Sequence, residues 1–334
     1  MATSTGTAPY LIGSETFHTS YKVVGNLKGG KRPVVIIHGG PGLTFAYMIP
    51  HANLFKTHGI PVILYDQLGG GLSSSLKDKH PEFIKPALFV AELDSLVKHL
   101  GIDHDFDIIA QSWGVTLAVE YVAKHRPLGL KHLVLTDGSA SYPLWREGLA
   151  NLRKQWPQDF QDILNRHEKD GTIDAPEYQQ ATMKFYQKHI LNLKEWPPET
   201  LESMGQMHKD PTVYNALIGA NEFNMTGSLK DWSVIPLLGS VKCPTLVING
   251  VDDEVPDICV EPLFHGIKNA RWVTFGASSH MPFWEEPEKY TRIVGDFLTD
   301  AGGIRAQSLI ARIFQLFKFI VKTILLRFGL YPPT

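Results

Sequence analysis

Two cysteines, Cys243 and Cys259, are all that 334 residues contain. So few thiols exclude the disulfide-dense framework by which small secreted domains hold together, and both are read as free. Charge of one sign is also missing: 32 lysines and arginines face 34 acidic residues, a formal net charge of -2. Without a basic field there is nothing to steer the chain toward nucleic acid, and no such partner is expected. The opening stretch MATSTGTAPYLIGSETF has no basic segment followed by an apolar run, so no secretory signal is expected and a cytoplasmic location follows by default. Neither an HExxH pattern nor a compact His/Asp/Glu cluster with ligand spacing occurs, so no metal and no cofactor is expected. Internal repeats and low-complexity tracts are absent as well.

What the chain does contain is a recurrence of short buried runs. FHTSYKVVG alternates, and PVVIIHG is continuously apolar. IPVILYDQ at 60-67, FDIIAQS at 106-112, LKHLVLTDG at 130-138, PTLVING at 244-250 and ARWVTFG at 270-276 end in polar residues or glycine, as buried parallel strands do. Helical spacing fills the intervals at 86-101 and 114-125, and this alternation implies a parallel α/β sheet with right-handed crossovers. From about residue 141 to 235 the alternation stops, and the text turns helical and aromatic (SYPLWREGLANLRKQW, EYQQATMKFYQKHI). The organisation expected is a core at 1-140, an inserted helical cap at 141-235, a second core part at 236-300 and an extension at 301-334.

The chemistry begins at Ser112. IIAQSWGVTLAVEY sets it between a strand and a helix, flanked by the small Ala110 and Gly114 that a tight strand-turn-helix needs. Such a turn lifts the hydroxyl above the sheet and brings the Trp113 N–H to the helix N-terminus, where negative charge can be received. A short pattern of this kind is common by itself. HGGPG at 38-42, following PVVIIHG, strengthens it, because glycine backbone can approach a tetrahedral oxyanion unobstructed. Gly39 and Gly40 are both candidates for the second donor, and His38 is read as an orienting hydrogen-bonder.

A serine hydroxyl needs a base, and the base needs a carboxylate. GVDDEVP follows a strand and offers Asp253 at its carboxyl end, with Asp252 as the adjacent competitor. SSHMPFWEEPEKY follows the next strand and offers His280. The order Ser, Asp, His is the order hydrolases of this architecture use.

Taken together, HGGPG, YDQLGGGLSS at 65-74, AQSWGV, GVDDEV and SHMPFWEEPEKY resemble the proline iminopeptidases, a branch of the α/β-hydrolases, over about residues 17-300. Ala110 and Val115 depart from the family's glycines but are small enough to keep the turn. The resemblance implies an α/β-hydrolase fold with an inserted cap, and a small peptide or amino-acid amide as substrate. It also implies two acidic anchors for the substrate's free amine, Glu222 in NEFNMTGSLKDW and Glu254 in DDEV. The implied reaction removes an N-terminal residue through an acyl-enzyme. An amidase, esterase or lactonase acting on a small amine-bearing or hydrophobic metabolite would use the same triad, and a catalytically silent binding protein would use none of it.

The resemblance does not reach IRAQSLIARIFQLFKFIVKTILLRF at 304-328, which carries five basic and no acidic residues. On a helical wheel Ile310, Phe314, Phe317, Val321, Ile324 and Phe328 share one face. Arg312, Lys318 and Lys322 interrupt a spanning length. Contact with a second subunit, with the chain's own core, or with a membrane surface is expected of it.

Overall fold

A computed structural model describes residues 2-300. Eight strands form one sheet: β1 (Thr3–Ile12), β2 (Glu15–Val24), β3 (Val34–Ile37), β4 (Val62–Tyr65), β5 (Phe106–Gln111), β6 (Leu130–Thr136), β7 (Thr245–Gly250) and β8 (Ala270–Phe275). Their spatial order is β1-β2-β4-β3-β5-β6-β7-β8. The first two pairings are antiparallel, and from β4 to β8 every pairing is parallel.

The sequence explains this division. VVII, VILY and FDIIAQ are buried at every position, because helices cover both faces of the parallel part. The helix Pro86–His99 begins with proline at its first turn, and the helix Trp113–His125 ends on Arg126 in the left-handed region, one residue before Pro127. β1 is the strand the pattern does not reveal. Its TSTGTAPYLI is interrupted by Gly6 and Pro9 and buries one residue, Ala8, as an edge strand can. Gly6 lets the Tyr21 ring lie across the β1–β2 pair, since a Cβ would come within 2.4 Å of the tyrosine hydroxyl and displace it.

All the parallel strands end on one rim. Residues 38-42, 112, 137, 251-254 and 276-280 therefore gather there, as ligand-binding loops of such sheets do. Between β6 and β7 the chain forms the helices Tyr142–Lys154, Gln158–Asp170, Pro176–His189, Pro198–Lys209 and Thr212–Leu217. Specific bonds seat this segment over the rim. The Ser203 hydroxyl bonds both the N–H and the carbonyl of Thr44, His189 Nδ1–H donates to the Asp252 carbonyl at 2.8 Å, and the Glu254 N–H donates to the His189 carbonyl at 3.1 Å. Cys243 and Cys259 are free thiols. Among the described residues no helix is long and apolar enough to cross a membrane. The amphipathic stretch at 304-328 lies outside the described residues.

One buried acid ties the sheet's antiparallel part to the rim. Glu92, on the helix Pro86–His99, accepts from the Thr19 hydroxyl at 2.6 Å and from the Leu68 N–H at 3.1 Å. Burial raises its pKa from 4.5 to about 8. The folded state thus binds this proton more tightly than the unfolded chain, so the group's contribution is full below the unfolded value and is lost as pH rises toward 8. Glu92→Gln should therefore flatten the fall in Tm between acidic and mildly alkaline pH. An unchanged slope would show that the Glu92 proton plays no part.

Candidate active site

Ser112 occupies φ 55, ψ -122, a conformation few side chains adopt. Holding it there costs on the order of 1–3 kcal/mol, so its surroundings must enforce it. They do so by close packing. The Ser112 N–H donates to the Thr136 carbonyl at 3.0 Å, and Gly114 lets the following helix press on the β3 end, where a Cβ would meet the Ile37 carbonyl at 2.5 Å. A Cβ on Gly39 would come within 2.7 Å of both Ser112 Cβ and Gln111 Oε1. Val115 is accommodated because Gly138 faces it without a side chain; a Cβ there would stand 2.3 Å from the valine.

His280 and Asp253 are joined. His280 Nδ1 lies 2.6 Å from Asp253 Oδ1, and both side chains are buried. Asp253, not its neighbour Asp252, reaches the ring; Asp252 uses its carbonyl to bind His189 instead. Because Nδ1–H serves Asp253, Nε2 is the nitrogen left to accept a proton. The stretch before the serine is tied to the same loop, for Gln111 Nε2 donates to the His280 carbonyl at 3.1 Å. The Ser112 hydroxyl itself makes no hydrogen bond among the described residues.

For the oxyanion the structure separates the two glycines. The Gly39 N–H donates to the Tyr47 hydroxyl at 2.5 Å, which corrects the expectation that it could serve as a donor to substrate. The amides of Gly40 and Trp113 have no acceptor among the described residues. His38 is fully buried and is held down to about 4 by desolvation, so it stays neutral. The Gln67 N–H donates to its Nε2 and its Nδ1–H donates to the Gly39 carbonyl, which spends both nitrogens on loop geometry.

Glu254 lies beside the pair, and Glu222 lies close to Glu254. Glu222 accepts from the Tyr214 hydroxyl at 2.9 Å and from the Tyr186 hydroxyl. Burial, with Glu222 next to them, holds both phenols far above their ordinary pKa, so they act as donors. Glu254 Oε1 is 3.7 Å from His280 Nε2, while its Oε2 is buried without a partner. Burial first, and the like charges of Glu222 and Asp253 among the further causes, raise the Glu254 carboxyl to about 8. Gly40, Ser112, Trp113, Tyr142, Trp145 and Val255 line a narrow recess at the serine.

The family described as alpha/beta hydrolase fold matches residues 32-287. A proline iminopeptidase of Saccharolobus solfataricus is 34% identical over 288 residues, covering 86% of this chain and 90% of that protein. One from Heyndrickxia coagulans is 35% identical over 270 residues, covering 81% and 91%. This chain belongs to the proline iminopeptidase family of the α/β-hydrolases. Solved structures agree. The proline iminopeptidase of Mycobacterium smegmatis superposes with a TM-score of 0.83 at 36% identity, covering 89% of this chain and 98% of that one. VinJ gives 0.84 at 38%, covering 88% and 98%. An enol-lactonase from Burkholderia xenovorans at 18% identity and TM-score 0.60 shares the fold alone.

In this proline iminopeptidase relative, several groups carried no sequence signal strong enough to single them out. Tyr47, Tyr186 and Tyr214 reach the site by tertiary folding, and no local motif marks them. Gln111 could have been noticed as an amide in a strand otherwise apolar at its end. Tyr47 is the most consequential: its hydroxyl accepts from the Gly39 N–H and donates to Gln111 Oε1 at 2.6 Å. Tyr47→Phe strands two buried polar groups and should lower stability by about 1–3 kcal/mol, with a fall in kcat larger than any change in KM. Denaturant melts and steady-state kinetics check this; a variant as stable and active as wild type would contradict the role given to the hydroxyl.

Proposed function

We propose that the protein is an aminopeptidase that releases an N-terminal residue, proline among its substrates, from a small peptide or amino-acid amide. The observation that carries this reading is the pair Glu222 and Glu254. Both are buried, Glu254 beside His280 and Glu222 close enough to act on Glu254, and among the described residues neither lies within ion-pair distance of a lysine or arginine. Burial holds Glu254 up to about 8, and a substrate ammonium entering between the two acids would favour its ionised form and pair with both. An ester, lactone or acylated amine has no such charge to offer, which sets the selectivity.

In the proposed reaction the Ser112 hydroxyl attacks the carbonyl of the N-terminal residue as its proton passes to His280 Nε2. Asp253 keeps the ring oriented and balances the imidazolium. The oxyanion is received by the Gly40 and Trp113 N–H groups, each such donor being worth roughly 10²–10³ in rate. Collapse breaks the C–N bond, and His280 returns the proton to the leaving amine. Water, activated by the same nitrogen, then cleaves the ester on Ser112. Tyr142, Trp145 and Val255 form the walls around the acyl residue, which suits a compact apolar ring. The segment 141-235, which brings Tyr142 and Trp145 to the recess at the serine and carries Glu222, acts as the cap.

Aminoacyl arylamides, free and N-acetylated, test the reading on wild type, Glu222→Gln and Glu254→Gln. Each variant should lose about 30-fold or more in kcat/KM with the free amines, the effect of leaving a buried charge pair broken. Acetylated substrates should be poor for all three. Equal rates across the panel would instead indicate an amidase or esterase indifferent to the amine.

A further inference from the structure

A third acid, Asp137, stands behind the pair of His280 and Asp253, and no motif pointed to it. It follows β6 at φ 51, a left-handed conformation that aspartate and asparagine tolerate better than most residues. Its carboxyl is fully buried. Oδ1 accepts from the Gly250 N–H at 3.1 Å, and the Asp137 N–H donates to the Ile248 carbonyl at 2.8 Å, so the side chain is fixed against the end of β7. Oδ2 is buried with no hydrogen-bond partner among the described residues, and the same is true of Asp253 Oδ2. The two carboxyls stand close enough for each to act on the other's pKa.

Two neighbouring buried carboxylates are strongly disfavoured as a dianion, and one proton held between their unpartnered oxygens removes the repulsion. We propose that Asp137 is a positioning residue that remains a carboxylic acid and donates its O–H to Asp253 Oδ2, fixing the carboxylate that orients His280. This rests on the reading of Asp253 as the triad acid. Asp253 then has both oxygens engaged: Oδ1 receives the His280 Nδ1–H and the Val255 N–H, and Oδ2 receives the Asp137 proton. The pair carries one negative charge, which matches the single positive charge His280 acquires during the reaction.

The other ionisable groups facing this pair favour the same state. Burial is the largest influence holding Asp137 protonated, and the negative charges of Asp253 and Glu285 act in the same direction, with His280 opposing them. Burial first, with Glu285 and Asp257, pushes the Asp253 carboxyl up as well, while Asp137 and the Val255 N–H pull it down, so the pair as a whole resists losing its one shared proton. Glu254 adds a further acid next to Asp253, while the Tyr47 and Tyr290 phenols near Asp137 are raised by burial and remain neutral. Loss of the shared proton at alkaline pH would leave two like charges and loosen the imidazole's support.

The full chain carrying Asp137→Asn or Asp137→Leu distinguishes this from simple space filling. Asparagine can donate from Nδ2 to Asp253 and accept from Gly250, whereas leucine can do neither. Leucine should lower kcat by on the order of tenfold or more with little change in KM, and asparagine should recover most of that loss. Wild type should show an alkaline fall in kcat/KM and, because an amide does not ionise there, that fall should move to higher pH, or vanish, in Asp137→Asn. An asparagine variant as impaired as the leucine one, a fully active leucine variant, or an asparagine variant keeping the wild-type alkaline limb would each overturn the proposal. Should the leucine variant fail to fold, the pH profile of the asparagine variant decides alone. Ser112→Ala, assayed alongside, separates this from the parent reading: residual activity there overturns the nucleophile assignment whatever Asp137 does.

Discussion

A hydroxyl can be offered above the rim of a parallel sheet only if the backbone beneath it turns far more sharply than an ordinary residue permits. At Ser112 that turn is enforced by exclusion. Gly39, Gly114 and Gly138 each remove a side chain that would collide with the serine, with the β3 end or with Val115. The strained dihedrals are thus held by packing from two loops and the helix that follows the serine, and a methyl group in any of the three places would crowd the turn.

Polar groups finish what the packing begins. Tyr47 joins the Gly39 N–H to Gln111, Gln111 joins the strand before the serine to the His280 carbonyl, and His38 joins the HGGPG loop to Gln67, whose side chain also accepts from the Trp113 indole. These residues are buried, so each lost partner would leave an unsatisfied group at appreciable cost. The consequence is a rigid cradle whose free donors are the Gly40 and Trp113 amides. Gly39 illustrates the economy of the arrangement, since its N–H holds the loop in place while its missing Cβ leaves room for the nucleophile.

Much of this was legible in order along the chain, because each strand of the parallel part is a run of buried residues and each loop that follows carries one chemical group. Asp253 could be distinguished from Asp252 only by the path of the loop, and Gly40 from Gly39 only by the direction of an N–H. β1 escaped notice because an edge strand needs no apolar alternation. Asp137 escaped because one acid at a strand end is an ordinary occurrence until its neighbour across the sheet is known. Glu222 and Glu254 were reachable through family resemblance, yet their tyrosine and histidine neighbours depend on how the helices between β6 and β7 settle over the rim.

Everything rests on Ser112 being a nucleophile activated by the His280 and Asp253 pair. Fluorophosphonate labelling of the folded protein followed by peptide mass spectrometry addresses this most directly. The account predicts a single adduct on the peptide containing Ser112, abolished in His280→Ala and weakened in Asp253→Asn. An adduct at another residue, or none in folded wild-type protein, would contradict it.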